Sequence, residues 1–122
     1  MAGHDARPQL GRLGERLAGE HLERLGYTVL TRNFRTPWGE LDIVACDART
    51  LVFCEVKTRR QGPGSPWDAL GPVKQGRVRR MASVWLATTE RPRRRDLRFD
   101  AVGVTIDARG ELVALDHIEG AF

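Results

Sequence analysis

Residues 51–57 read Leu-Val-Phe-Cys-Glu-Val-Lys, an apolar run of β-prone residues that carries two charges near its end. Side chains at positions i and i+2 of a strand point to the same face, so we expect Glu55 and Lys57 to emerge together. Burying a charge is costly unless the charge is paired or binds an ion. The run therefore predicts a central strand whose two charges either satisfy each other or hold a ligand.

A second acidic strand precedes this one, since residues 39–44 read Gly-Glu-Leu-Asp-Ile-Val and include Asp42. If residues 47–50 form a hairpin loop, the register sets Asp42 opposite Glu55 on one face of the sheet. Opposed side chains have Cβ atoms about 4.5–5.5 Å apart. A slip of one residue would send Asp42 to the other face, so the grouping of the acids depends on this register.

Two carboxylates at that separation repel each other when both are ionised. Three arrangements relieve the repulsion, and the residues alone leave all of them open. Lys57 neutralises the acids as a structural ion cluster, one acid holds a proton, or a divalent cation lies between them. Mg²⁺ in proteins is commonly held by one or two carboxylates together with water and substrate phosphate.

The remaining sequence predicts a single α/β domain with the order α-β-β-β-α-β-β. Apolar residues at helical spacing predict helices over residues 9–25 and from Pro72 to about residue 88, and Gly26 is a stop signal for the first helix. The predicted strands cover residues 27–35, 40–46, 51–59, 98–106 and 111–117. A mixed five-stranded sheet flanked by helices follows, in which the third and fourth strands are parallel because a helix connects them. Residues 1–8 are predicted to be a flexible tail and residues 9–122 the domain.

The bulk composition favours a polyanionic partner. The 122 residues include 20 Lys and Arg against 16 Asp and Glu, which gives a net charge of +4, and a basic surface favours nucleic acid. No apolar run approaches the roughly 20 residues that cross a bilayer, and the first residues lack the apolar centre of a secretory signal, so a cytoplasmic location is expected. The two cysteines and three histidines have no zinc-ligand spacing.

Several short motifs, taken in order, resemble the small bacterial YraN-like family. They are Gly14-Glu15, Gly39-Glu40-x-Asp42, Phe53-x-Glu55-Val56-Lys57-x-Arg59, Lys74 and Arg98-Phe99-Asp100. That family is similar to archaeal Holliday-junction resolvases, which carry the restriction-endonuclease-like nuclease core. The resemblance spans about residues 11 to 106, and it implies a restriction-endonuclease-like fold for this chain.

The resemblance also implies roles for individual residues. Asp42 and Glu55 look like the metal-binding carboxylates of that core, with the Val56 carbonyl as a further ligand for Mg²⁺ or Mn²⁺, and Lys57 looks like its catalytic lysine. Glu15 looks like the helix acid of resolvase-type members. The basic residues expected to hold the DNA backbone without reading bases are Arg59, Arg60, Lys74, Arg91, Arg93, Arg94 and Arg95. The arginines between residues 91 and 95 fit a solvated loop equally well.

Three functional hypotheses follow from these patterns. The leading one is a metal-dependent DNA endonuclease that acts on branched or damaged DNA, and a homodimer suits it because cutting both strands of a junction suits a two-fold pair. The second is a nucleic-acid-binding module that keeps the nuclease fold without cutting. The third is a structural or partner-binding protein whose acids form an ion cluster.

Overall fold

The structure, a computed structural model, describes residues 7–68, 70–90 and 96–122. Its elements follow the predicted order, and their ends lie within two residues of the predicted ones. They are α1 (Arg7–Arg24), β1 (Thr28–Thr36), β2 (Gly39–Cys46), β3 (Thr50–Arg60), α2 (Pro72–Thr88), β4 (Asp96–Ile106) and β5 (Leu112–Ile118). Residues 1–6 of the predicted tail lie outside the described residues, and α1 begins two residues before the predicted start.

The strands form one mixed sheet in the order β1-β2-β3-β4-β5. β3 and β4 pair in parallel over their whole length, while the other neighbours are antiparallel. The predicted parallel pair and the α/β class are therefore confirmed. β3 lies at the centre of the sheet, which explains why residues 51–55 are all buried. An apolar strand with both faces covered is typical of parallel pairing.

Each face of the sheet is covered by one helix. α1 packs through Ala18 and Leu22 on the face that includes Cys54, whereas α2 packs through Met81 and Trp85 on the face that includes Cys46. The cysteines consequently lie in opposite cores and form no disulfide, as the register predicts. Among the described residues, no helix is long and apolar enough to cross a membrane.

The contact between α1 and β3 is unusually close at Gly14. A Cβ atom placed on Gly14 would lie 1.7 Å from the Thr58 side-chain oxygen, well inside any real contact distance. A glycine is therefore required for the helix to approach the strand this closely. The next residue on the helix is Glu15, so this contact sets how near Glu15 lies to Asp42 and Glu55 of the sheet.

A buried polar cluster ties β4 and β5 to α1. The Asp100 carboxylate is fully buried and accepts two hydrogen bonds from the Arg98 guanidinium, at 2.7 and 2.8 Å. It also lies 2.8 Å from the His117 ring, which in turn lies 3.0 Å from His21 on α1. Burial acts to raise the pKa of Asp100, but these hydrogen bonds and one from the Gly120 N–H lower it overall. The cluster is fully hydrogen-bonded, and we assign it to fold stability.

Candidate active site

A recess of about 220 Å³ opens beside the central strands, and five of the twelve predicted site residues line it. We call it the acidic recess because two carboxylates form its floor. Its lining residues are Asp42, Glu55, Val56, Lys57, Pro66, Trp67, Leu70, Lys74 and Ala101. The structure thus brings together both predicted metal-binding acids, the predicted catalytic lysine and the predicted basic residue of α2.

Asp42 lies where the hydrogen-bonded ladder between β2 and β3 stops. The predicted register is observed over four pairs, from Cys46↔Leu51 to Ile43↔Cys54. Beyond them the Asp42 side chain takes over, and its Oδ2 accepts a 2.8 Å hydrogen bond from the backbone N–H of Val56. The expected backbone pairing of Asp42 with Glu55 is therefore replaced by a contact between a side chain and the backbone, which still holds both acids in the same recess.

A local distortion of β1 and β2 explains why the ladder stops at Asp42. Asn33 has a φ of 52°, in the left-handed region, and lies between the pairs Arg32↔Ile43 and Phe34↔Leu41. Continuing that register sets Asn33 opposite Asp42. Leu41 and Ile43 should share a face, yet they pack in opposite cores. β2 therefore turns over at Asp42, which directs this carboxylate to the end of the strand pair. Asn is among the few residues that tolerate a left-handed backbone.

Glu55 is paired with a lysine from α2 rather than with its neighbour on the strand. Its Oε1 lies 3.0 Å from the Lys74 ammonium, while its side chain is only 11% exposed. Its Oε2 is buried and has no hydrogen-bond partner among the described residues. Lys57, which the sequence offers as the neutralising amine, is exposed at the mouth of the recess. Of the three arrangements that the sequence leaves open, neutralisation by Lys57 is therefore replaced by an ion pair between Glu55 and Lys74, although Lys57 lines the same recess.

Burial and the neighbouring carboxylate change the proton affinity of Asp42. Burial, together with the charge of Glu55, raises the pKa of Asp42 to about 8, although the Val56 N–H acts in the opposite direction. Asp42 therefore holds a proton near neutral pH in the absence of a further cation. A protonated acid is one of the three arrangements that the sequence leaves open. The ion pair between Glu55 and Lys74 is a variant of another, neutralisation by a lysine, in which the lysine comes from α2.

Glu15 lies outside the acidic recess, in an adjoining groove lined by Gly11, Arg12, Glu15, Asn33, Arg35 and Glu40. Burial raises its pKa, and a hydrogen bond with Asn33 partly offsets that, while Glu40 and Glu55 raise it further. Glu15 is thus close enough to sense the charge of the recess. Within the described residues, however, no three His, Cys, Asp or Glu side chains form a group that could hold a metal ion. Glu15 thus borders the acid pair from the adjoining groove.

Part of the lining of the recess is an apolar wall. It consists of Pro66, Trp67 and Leu70, from the segment that joins β3 to α2. The wall lies close to β4 because Gly103 has no side chain: a Cβ there would approach the Pro66 ring to 2.9 Å and the Trp67 ring to 3.0 Å. The position of Trp67 in the same recess as the acids is evident only in the structure.

The predicted DNA-binding arginines differ in what they contact. Arg59 donates hydrogen bonds of 3.0 and 3.1 Å to the carbonyls of Gly62 and Pro63, so it shapes the segment that leads to the apolar wall. Arg60 is exposed at the end of β3. Arg91, Arg93, Arg94 and Arg95 lie outside the described residues.

Sequence reasoning missed two exposed arginines of α2. Arg77 and Arg80 follow Lys74 at intervals of three residues and extend the positive charge along the helix. Their helical spacing from Lys74 was the sequence pattern that could have indicated them. That spacing alone does not show which face of α2 borders the recess, so it did not identify them as residues of the site.

Comparison with known proteins identifies the family. The model described as "Uncharacterised protein family UPF0102" matches residues 14–104. A UPF0102 protein of Streptomyces griseus is 48% identical over 118 residues, which cover 95% of this chain and 98% of the relative. One from Acidothermus cellulolyticus is 44% identical over the full length of both chains, and one from Mycobacterium avium is 46% identical over 93% of this chain and 90% of the relative. The chain therefore belongs to family UPF0102, the bacterial YraN-like family that its motifs resemble.

Proposed function

We propose that this protein is a metal-dependent DNA endonuclease with a restriction-endonuclease-like core, similar to the Holliday-junction resolvases. The observation that carries the proposal is the state of the two acids. Glu55 buries an oxygen that has no hydrogen-bond partner among the described residues, directly beside an Asp42 whose pKa is raised to about 8. Two neighbouring carboxylates, one with an unpartnered oxygen and the other ready to give up its proton, are the expected ligands of a divalent cation.

The residues of the recess fit Mg²⁺ or Mn²⁺. Asp42, Glu55 and the carbonyl of Val56 offer hard oxygen donors, and the unpartnered Oε2 of Glu55 is the atom that a cation would satisfy. When bound, such an ion lowers the pKa of a water molecule and polarises a phosphate oxygen. Because Asp42 must lose its proton before it can act as a ligand, the recess should bind metal better as the pH rises toward 8.

The lysines of the recess suit phosphodiester chemistry. Lys57 is exposed beside the two acids, where its ammonium can stabilise negative charge that develops on a phosphate or orient the attacking water. The Lys74 ammonium, now 3.0 Å from Glu55, can pair equally well with a phosphate oxygen of a bound strand. Glu15, whose pKa is raised by burial, borders the recess and can position a water molecule at its edge.

The proposed substrate is branched or damaged DNA, bound through its backbone. Arg60 together with Arg77 and Arg80 of α2 adds exposed positive charge around the recess, which supports contacts to phosphates that do not depend on base sequence. A homodimer is the proposed assembly for cutting two strands of a junction. The cytoplasm, where bacterial DNA is available, is the proposed location.

The ion pair between Glu55 and Lys74 favours one alternative. Since a lysine already neutralises one of the acids, the chain could bind DNA through the same surface without holding a metal. The protein would then be a nucleic-acid-binding module that keeps a nuclease-like fold. Metal uptake and cleavage separate this alternative from the endonuclease.

The decisive experiment measures cleavage of four-way junction, flapped, single-stranded and duplex DNA, with Mg²⁺, Mn²⁺ or a chelator. Wild-type protein is compared with Glu55→Gln, which removes the charge of a recess acid, and with Glu119→Gln, a control at an exposed carboxylate outside the recess. We expect metal-dependent cutting by the wild type and the control and none by Glu55→Gln. Salt-sensitive DNA binding without cutting would establish the binding module instead, and neither binding nor cutting would exclude both.

A further inference from the structure

The lining of the acidic recess combines two kinds of chemistry. Asp42 and Glu55 contribute carboxylates to it, and Pro66, Trp67 and Leu70 contribute apolar surface. A nucleotide has the same division, with a charged phosphate at one end and a flat, largely apolar base at the other. Catalysis at a phosphate needs the acids and the lysines, but it needs no indole. The wall is therefore a feature that the proposed cleavage chemistry does not explain.

The depth of the recess limits what can reach the acids. Glu55 is 11% exposed and its partner Lys74 is 39% exposed, so this carboxylate is less accessible than the lysine paired with it. A volume of about 220 Å³ is below the roughly 300–1,000 Å³ of a pocket for a drug-sized ligand. Such a space admits one nucleotide of a strand, whereas a double helix would have to remain outside it.

The position of Trp67 makes its ring a platform rather than part of the core. Trp85 is 1% exposed and is buried under α2, but Trp67 is half-buried and lines the recess. Its ring edge and the Pro66 ring are held against β4 by the absence of a side chain at Gly103. Bases stack on aromatic side chains when they have been separated from their neighbours, and a base inside a continuous duplex has no free face to offer.

We propose that the acidic recess binds one unpaired nucleotide of a DNA strand, with its base stacked on Trp67 and its phosphate directed toward Asp42 and Glu55. The inference rests on the proposed function, because a phosphate approaches two carboxylates only when a cation separates them. It narrows the substrate class to DNA with an unpaired segment, such as a single strand or a flap. Lys57, Lys74 and Arg60 supply the complementary charge for the backbone of that strand.

Tryptophan fluorescence tests this binding mode directly. A Trp38→Phe background removes an exposed indole that does not line the recess and leaves Trp67 together with the buried Trp85. A short single-stranded DNA oligonucleotide, added with Ca²⁺ as the probe cation, should quench the Trp67 emission. The same strand annealed as a blunt duplex should quench much less. Equal quenching by the blunt duplex, or no quenching by the single strand, would overturn the proposal.

Substitution of the ring provides a second, independent measurement. Trp67→Ala should weaken single-strand binding about 5- to 100-fold, the loss expected for one base stack, whereas Trp67→Phe should retain most of the affinity. Trp38→Ala is the matched control and should bind as tightly as wild type. Unchanged binding by Trp67→Ala would contradict the proposal, and the Phe variant guards against a loss that arises from misfolding. If the protein cuts single-stranded and duplex DNA equally well and the Trp67 variants cut like wild type, only the stacking proposal is refuted. If DNA binding depends on Trp67 but no DNA is cut, only the endonuclease proposal is refuted.

Discussion

The Oδ2 atom of Asp42 accepts a 2.8 Å hydrogen bond from the backbone N–H of Val56 at the point where the ladder between β2 and β3 stops. The side chain thereby satisfies a donor that the neighbouring strand leaves unpaired, and it is held beside Glu55 by the backbone itself. The geometry of the acid pair consequently depends on main-chain atoms of the central strand. It does not require the acids to be arranged by a ligand.

The raised pKa of Asp42 predicts an unusual dependence of stability on pH. The folded protein holds this proton up to about pH 8, whereas an unfolded chain releases it near 3.8. The stability that this bound proton contributes is therefore fully present below pH 3.8, the ordinary pKa, and is lost as the pH rises toward 8. Asp42→Asn keeps an acceptor for the Val56 N–H and removes this loss, so its urea midpoint should exceed that of wild type above pH 8. Identical pH profiles for the two proteins would show that Asp42 does not hold the proton.

Cation binding should release that proton. We expect Mn²⁺ affinity to rise with pH until Asp42 is ionised near pH 8. Calorimetric titration in two buffers of different ionisation enthalpy measures the number of protons released. Asp42→Asn provides the control because it has no proton to lose. A pH-independent affinity in the wild type would indicate that the ion binds elsewhere.

Replacement of Lys74 tests whether its ammonium competes with a metal for Glu55. Lys74→Met removes the 3.0 Å ion pair and retains the length of the side chain. Mn²⁺ should then bind several-fold more tightly, since two positive charges no longer contend for one carboxylate. Lys57→Met is the matched control, because Lys57 also lines the recess but does not form this ion pair with Glu55. A weaker Mn²⁺ affinity in Lys74→Met would be evidence against competition.

The close approach of α1 to β3 predicts opposite effects for two glycines of the same helix. Gly14→Ala should destabilise the protein by about 1–3 kcal/mol, because the added methyl group overlaps the Thr58 side chain. Gly11→Ala has open space around its Cβ and should be neutral or should stabilise by up to about 1 kcal/mol. Chemical denaturation of both variants measures the difference. Equal stabilities would mean that the helix can shift away from the strand without cost.

The left-handed backbone at Asn33 predicts a role in positioning Glu15. Asn33→Gly tolerates the φ of 52° but removes the hydrogen bond that lowers the pKa of Glu15, so that pKa should rise further. NMR titration of the Glu15 carboxyl carbon reports this directly. Asn33→Ala removes the same hydrogen bond and adds a backbone cost of about 1–2 kcal/mol. The pair of variants therefore separates the electrostatic effect from the conformational one, and an unchanged Glu15 titration in both would exclude the positioning role.

Most of the fold could be predicted from the sequence because the patterns that specify its helices and strands are local. The apolar run 51–57, the hairpin loop at residues 47–50 and the helical spacing after Pro72 each specify their own element, and a connecting helix implies the parallel pair. The grouping of Asp42 with Glu55 followed from the hairpin register for the same reason. These inferences need only periodicity and loop length.

The contacts of the site were harder to predict from the sequence because they join elements that are distant along the chain. Periodicity places Lys74 on α2, but only the packing of that helix on the sheet brings its ammonium to Glu55. The left-handed conformation of Asn33 depends on both β1 and β2, and the position of Trp67 depends on a missing side chain in β4. In each case a tertiary contact decides the chemistry, and a single sequence does not display it.

One continuous segment, residues 55–74, contributes an acid, both lysines and the apolar wall of the recess. Arg59 anchors the start of the connecting segment through the carbonyls of Gly62 and Pro63, and α2 begins where it ends. Within this segment, residues 61–70 hold the apolar wall and lie outside β2 and β3, the strands that hold Asp42, Glu55 and Lys57. Exchanging residues 61–70 between relatives would transfer the preference for single-stranded or duplex DNA, and Asp42 and Glu55 would remain unchanged.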